Sequence, residues 1–181
     1  GKYLWDKGRW NQYAYYGELA YISAIKIQNH EVHAAICLQD LGWCYFWQAD
    51  LTRAKRYIYE GLSIAEKYHL LDLKALGQQR LGKIYQAEKN YPAAIKIFQQ
   101  SLSYFVQAKE EERIGDTLTY LGESYWLSGN YQSCQMYLSK ALVKVNDSSD
   151  LPQKAIIYSN LGGFYFKDFF DSADQIGLPS R

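Results

Sequence analysis

The chain has no surplus of charge of either sign: 20 Lys and Arg stand against 19 Asp and Glu, for a formal net charge of +1. A nucleic-acid binder normally carries a basic stripe that neutralises phosphates, and this balance argues against one. Long apolar runs are also missing. No stretch approaches the roughly 20 apolar residues that cross a bilayer, and no basic-then-apolar leader opens the chain, so no membrane partner is expected. Cysteine is scarce. Cys37, Cys44 and Cys134 are an odd set at helical packing positions without disulfide spacing, which fits a reducing, cytoplasmic setting. Motifs for nucleophilic or phosphate chemistry are lacking: no Gly-x-Ser-x-Gly occurs, and Gly162-Gly163 is not followed by the lysine of a phosphate loop. Asp and Glu are scattered over expected outer faces. No enzyme activity and no catalytic, cofactor or metal-binding residue is expected.

What the chain does have is a repeat. Leu41-Gly42, Leu81-Gly82, Leu121-Gly122 and Leu161-Gly162 recur every 40 residues, each followed three residues on by Tyr45, Tyr85, Tyr125 or Tyr165. Ala54, Ala94 and Cys134 form a small-residue series on the same step, Leu62, Leu102 and Leu142 an apolar one, and Asp50, Asn90 and Asn130 a polar one. Three independent series on one step mark a chain of similar units whose stability is a sum of neighbour interfaces.

Each unit reads as a helical hairpin. Leu38, Leu41, Cys44 and Tyr45 fall at helical spacing, Gln48-Ala49-Asp50 interrupts them, and Leu51, Ala54, Ile58, Gly61, Leu62 and Ala65 give a second helical face. Asp50, Asn90 and Asn130 are suited to cap the second helix of their units, since an Asp or Asn side chain accepts from free first-turn N–H groups. Pro92 sits in a first turn, where a missing N–H costs little. The small residues Gly42, Ala54 and Gly61 permit close helix approach. A single repeat domain over 1–181 is expected, with units at about 1–30 (partial), 35–68, 75–108, 115–148 and 155–176 (partial). In the first, Trp10, Tyr13, Gly17 and Ala20 read as second-helix positions, with Tyr3 to Trp5 ending its first helix. Terminal units without polar caps favour self-association.

The pattern Leu-Gly-x-x-Tyr, then a small residue twelve after the Gly, a large apolar residue four later and a small one three later, resembles the tetratricopeptide repeat. Leu81, Gly82, Tyr85, Ala94, Phe98 and Ser101 carry it best. The family's usual period is about 34 residues, so the units here are longer. The resemblance implies an all-α fold, an α-solenoid of antiparallel helical hairpins in a right-handed superhelix. In that family the first helix of each unit lines a concave groove that holds a peptide or partner helix. Carried over by register, the groove positions are Gln39, Trp43, Phe46, Trp47, Gln79, Arg80, Lys83, Thr119, Tyr120, Glu123, Trp126, Asn160 and Phe166. The clamp with which some such arrays hold a chaperone's C-terminal carboxylate needs Lys and Asn where Gln39, Trp43, Gln79, Lys83, Thr119 and Tyr120 stand, and is not expected.

Gly8-Arg9-Trp10, Leu41-Gly42-Trp43 and Trp47-Gln48-Ala49-Asp50-Leu51 also resemble the sensor arrays of STAND-type nucleotide triphosphatases. That resemblance implies catalysis in an upstream domain, with this array sensing a ligand or holding that domain closed. Two readings stand side by side: a binding surface for a protein or peptide, or Trp43, Phe46 and Trp47 packed against adjacent units in a structural, autoinhibitory arm that packs on its own upstream nucleotide-triphosphatase domain and has no separate ligand.

His30, His33, Cys37 and Cys44 share one helical face, but Cys37 and Cys44 would lie roughly 10 Å apart along the axis, too far to share one ion. His33 with Cys37 makes half a zinc site that needs two ligands from elsewhere. Buried cysteines packed between helices are the simpler reading.

Overall fold

The structure, a computed structural model, describes residues 7–146, 157–159 and 161–163. Among these residues every regular element is helical: α1 (Lys7–Lys26), α2 (His30–Ala35), α3 (Gly42–Trp47), α4 (Leu51–Lys67), α5 (Leu71–Ala87), α6 (Tyr91–Ala108), α7 (Glu111–Leu127) and α8 (Tyr131–Asn146). A π-helical segment, Ile36–Leu41, joins α2 to α3 into one continuous first helix. The chain divides into two compact units, Gly1–Tyr104 and Phe105–Arg181, with the boundary inside α6.

The Leu-Gly pair is explained by how the two helices of a hairpin meet. A Cβ on Gly42 would lie 2.7 Å from Cγ1 of Ile58, one on Gly122 would lie 2.5 Å from Cδ2 of Leu138, and one on Gly82 would enter the ring of Phe98. In each hairpin the first helix is bare at the point where a fully buried apolar side chain of the second presses on it. The pairing runs antiparallel, since Leu38 meets Gly61, Gly42 meets Ile58 and Tyr45 stacks on Tyr57. In the second unit Tyr125 stacks on Tyr137 in the same way. Leu41, Leu81 and Leu121 fill the space between helices at 0%, 4% and 0% exposure.

The turns follow one recipe. Ala49, Lys89 and Gly129 adopt left-handed backbone (φ 60°, 60° and 80°), as do Gln28, His69 and Lys109 in the connections between hairpins. Within each hairpin the next residue folds back: the N–H groups of Asp50, Asn90 and Asn130 donate to the carbonyls of Tyr45, Tyr85 and Tyr125 at 2.8–2.9 Å. Their side chains then cap the following helix, accepting from the backbone N–H of Arg53, Ala93 and Ser133 at 2.9, 3.3 and 3.1 Å. One residue thus closes one helix and opens the next. The Arg53 N–H and guanidinium on Asp50 hold its carboxyl below the usual carboxylate range. Glycine is the natural residue at such a left-handed position, and only Gly129 supplies it. Ala49→Gly is therefore expected to stabilise by about 0.5–1 kcal/mol, and Gly129→Ala, whose methyl meets no atom within 4 Å, to destabilise by about 1 kcal/mol. Urea unfolding of both variants reads the two signs.

The first helix of the first complete hairpin, His30–Trp47, carries one residue more than its counterparts α5 and α7. The π-helical segment absorbs it. There the Gly42 N–H reaches back five residues to the Cys37 carbonyl, so the Leu-Gly pair returns to register with the later units despite the insertion.

The inward stripe of α1 is Trp10, Ala14, Gly17, Tyr21 and Ala24. This corrects the sequence register in that helix: Tyr13 and Ala20 are exposed, and Tyr13 instead donates its hydroxyl to Asp40 at 2.6 Å. That hydrogen bond, ahead of burial, pushes the Tyr13 phenol up to about 12. The Tyr3 to Trp5 assignment lies outside the described residues. Against this stripe pack α2, the π-helical segment and α3.

Candidate functional site

On the first helix of the first complete hairpin, Gly42, Leu41 and Tyr45 face the core, which leaves Gln39, Trp43 and Trp47 on the other side, with Phe46 between, half-buried and packed against the core. The three rings form one cluster. Trp43 and Phe46 stack nearly parallel at 5.0 Å, and Trp47 stands edge-on to both at 5.4 and 5.6 Å. From α5 the Arg80 guanidinium lies over Trp43, 3.8 Å from the ring centre, a cation–π contact of about 1 kcal/mol. Trp43, Phe46, Arg80 and Lys83 are half-buried, while Gln39 and Trp47 are exposed, Trp47 at 56%. The result is a rigid aromatic patch with one ring standing out of it.

Gln79 is different. It shares the face of Arg80 and Lys83 by register but is only 1% exposed, and Gln86, at the position that Phe46 takes one repeat earlier, is 7% exposed. The inner row of α5 is therefore closed to direct contact, and the accessible part of the face in this unit is the aromatic patch with the tips of Arg80 and Lys83.

In the second unit α7 packs on α8. Tyr120, Glu123 and Trp126 are half-buried on one side of α7, and Trp126 stands edge-on to Tyr131 at 5.2 Å. Thr119 is buried and spends its hydroxyl on the Gly115 carbonyl at 2.9 Å. A cleft of about 230 Å³ opens beside Trp126, lined among the described residues by Glu123, Leu127, Leu138, Ser159 and Gly163. Leu127, which is not among the register-derived groove positions, is 50% exposed at the position of Trp47. Asn160 and Phe166 lie outside the described residues.

A second, polar cluster joins α1, the first helix of the hairpin and α4. Glu18 accepts from the hydroxyls of Tyr57 at 2.5 Å and Tyr45 at 3.1 Å. One turn along, Glu60 Oε1 accepts from the Tyr21 hydroxyl at 2.8 Å and meets His33 Nε2 at 2.9 Å. The Cys37 thiol lies beside this pair: the ligating atoms of His33, Cys37 and Glu60 are all within 4.8 Å of one another. Burial pushes the Cys37 thiol up, and the charges of Glu60 and Glu18 push the same way. Burial and then the Glu60 hydrogen bond take the Tyr21 phenol to about 12. Sequence spacing found His33 and Cys37 but not Glu60, which comes from another helix and belongs to no local motif. All three cysteines are buried and free.

No helix among the described residues is long and apolar enough to cross a membrane. No curated protein matches the chain. Residues 71–142 match the family model described as Tetratricopeptide repeat, a span that takes in α5 through most of α8. Residues 71–142 are thus of the tetratricopeptide repeat type, a fold of protein–protein interaction scaffolds, and with the same hairpin, turn and glycine contact recurring on one step the described helices form a tetratricopeptide-like array.

Proposed function

We propose that the array binds a peptide or partner segment, and that in the first unit the contact is made by Trp43, Phe46 and Trp47 with Arg80, Lys83 and Gln39 at their edge. The observation that supports this is the aromatic patch itself. Three interlocked rings lie under a stacked guanidinium; Phe46 anchors them on the core, while Trp43 is half-open and Trp47 exposed to solvent. Trp, Tyr and Arg carry most binding energy at protein interfaces, and rings already locked by neighbours lose little freedom on binding. In the second unit Tyr120, Glu123 and Trp126 beside the cleft are the corresponding candidates. Arrays of this type are typically binding modules without catalysis of their own.

A second reading, an arm that packs against neighbouring structure, is favoured by α1. Its outer side shows Tyr15, Tyr16, Leu19, Ile22 and Ile25 at 45–68% exposure, more apolar surface than one solvated helix face usually carries.

Peptides selected from a displayed random library against the chain, then titrated by fluorescence against wild type and Trp43→Ala/Trp47→Ala, test the first reading. The selected peptides are expected to bind the variant at least about 30-fold more weakly, a loss of about 2 kcal/mol, with helicity retained. Equal binding by the folded variant sinks the aromatic patch as the site. Failure to select any peptide from a chain that self-associates in sedimentation favours the arm.

A further inference from the structure

His33 and Cys37 stand one helical turn apart, and Glu60 of α4 faces them across the hairpin. In a repeat protein, side chains required by packing recur with the period. These do not: the counterparts of Glu60 are Gln100 and Lys140, those of Cys37 are Gly77 and Thr117, and no histidine stands at the matching places. Cys37 also lies in the π-helical segment, where this first helix departs from the others, and such widened turns occur often at functional sites. The repeat therefore accounts for the fold of this hairpin but not for the trio.

We propose that His33 Nε2, Cys37 Sγ and Glu60 Oε1 are three ligands of a divalent cation of the zinc class, with the fourth position left to water or to a side chain of a bound partner. Imidazole, thiolate and carboxylate together suit zinc, whereas magnesium and calcium require oxygen donors. Tetrahedral zinc holds N and O ligands about 3.3 Å apart and N and S ligands about 3.6 Å apart. The 2.9 Å separation of Nε2 and Oε1 needs to open by a few tenths of an ångström. The sulfur, within 4.8 Å of both, closes by at most about 1.2 Å to reach the tetrahedral separation. Tyr21, donating to Glu60 at 2.8 Å, positions the carboxylate as a supporting residue.

On binding, the Cys37 S–H bond breaks, its proton leaves to water, and the sulfur lone pair forms the bond to the ion. His33 Nε2, whose N–H faces the Glu60 carboxylate at 2.9 Å before binding, releases that proton to water, and the neutral ring, protonated on Nδ1, offers the Nε2 lone pair to the ion. Without the cation, burial first and then the charges of Glu60 and Glu18 keep the thiol protonated, against the opposing pull of Arg56. The ion would tie the helix that carries Trp43 and Trp47 to α4.

The test is titration of the full chain with Co²⁺ under a non-chelating reductant, followed by displacement with Zn²⁺. One Co²⁺ per chain is expected, with tetrahedral d–d bands and a thiolate-to-cobalt charge-transfer band that Zn²⁺ abolishes and Mg²⁺ leaves. Cys37→Ser is expected to remove the charge-transfer band, while Cys134→Ser leaves it intact. Glu60→Gln, at a half-buried position that tolerates an isostere, is expected to stay helical and bind at least about tenfold more weakly. Absence of the charge-transfer band at one equivalent, or its loss in Cys44→Ser rather than Cys37→Ser, overturns the site. So does unchanged affinity in a folded Glu60→Gln.

Discussion

Phe98→Ala is expected to lower stability by about 3–5 kcal/mol, the range for deleting a fully buried aromatic ring. Phe98 is 0% exposed, and its ring occupies the space that Gly82 leaves bare on α5. Gly82→Ala alone is expected to destabilise as well. The added methyl would meet three atoms of a ring that has nowhere to go, two of them at 2.7 Å. Such overpacking costs about 1–3 kcal/mol, more than the roughly 1 kcal/mol that Ala gains over Gly in a helix. In the Phe98→Ala background the same methyl enters the vacated space, so its sign reverses and it stabilises by up to about 1 kcal/mol. A urea-unfolding cycle over the two single variants and the double one reads this coupling directly. Additive effects would mean that the close approach of α5 and α6 is not what keeps residue 82 a glycine.

That contact explains why so much of the fold was legible in the sequence. Leu-Gly-x-x-Tyr encodes three local demands at once: a leucine in the core, a bare point for the partner helix and, in Tyr45 and Tyr125, a ring that stacks on a tyrosine across the hairpin. Asp50, Asn90 and Asn130 were readable because capping is a matter of adjacent residues. The extra residue in His30–Trp47 was not, since a π-helical segment changes the hydrogen-bond ladder without changing composition. In α1 the packing side chains include the small Ala14, Gly17 and Ala24, set among large exposed rings, so the repeat register alone put Tyr13 and Ala20 where Ala14 and Tyr21 pack. The candidate site was legible only as a face. Gln79 and Thr119 belong to that face by register, yet both are buried, and burial is a tertiary property that no spacing within one helix records. Glu60 was out of reach for the same reason, 27 residues from His33 in the chain.

Raising the pH from about 10 to about 12 is expected to unfold the first unit, because its carboxylates are bound by tyrosines that must stay protonated to donate. In the unfolded chain a tyrosine ionises near pH 10. Tyr21, half-buried and donating to Glu60, keeps its proton to about 12. Tyr57, 1% exposed and donating to Glu18, is pushed up further, by burial first and then by that hydrogen bond. Below pH 10 both states hold these protons and the contribution to stability is complete. Above it the unfolded chain loses protons that the fold retains, and stability falls by up to about 1.4 kcal/mol per pH unit for each group. Two units for Tyr21 and Tyr57 together come to at most about 5 kcal/mol, comparable with the whole stability of an ordinary domain. Tyr13 and Tyr59, which are about half exposed, add a smaller, solvent-screened part. Far-ultraviolet circular dichroism from about pH 8 to pH 12 follows the loss. A Tyr21→Phe/Tyr57→Phe chain, less stable at neutral pH because Glu18 and Glu60 each lose a donor, is expected to show a much shallower decline above pH 10. An equally steep decline in that variant would move the alkaline sensitivity away from these two hydroxyls and onto the lysines and the remaining tyrosines.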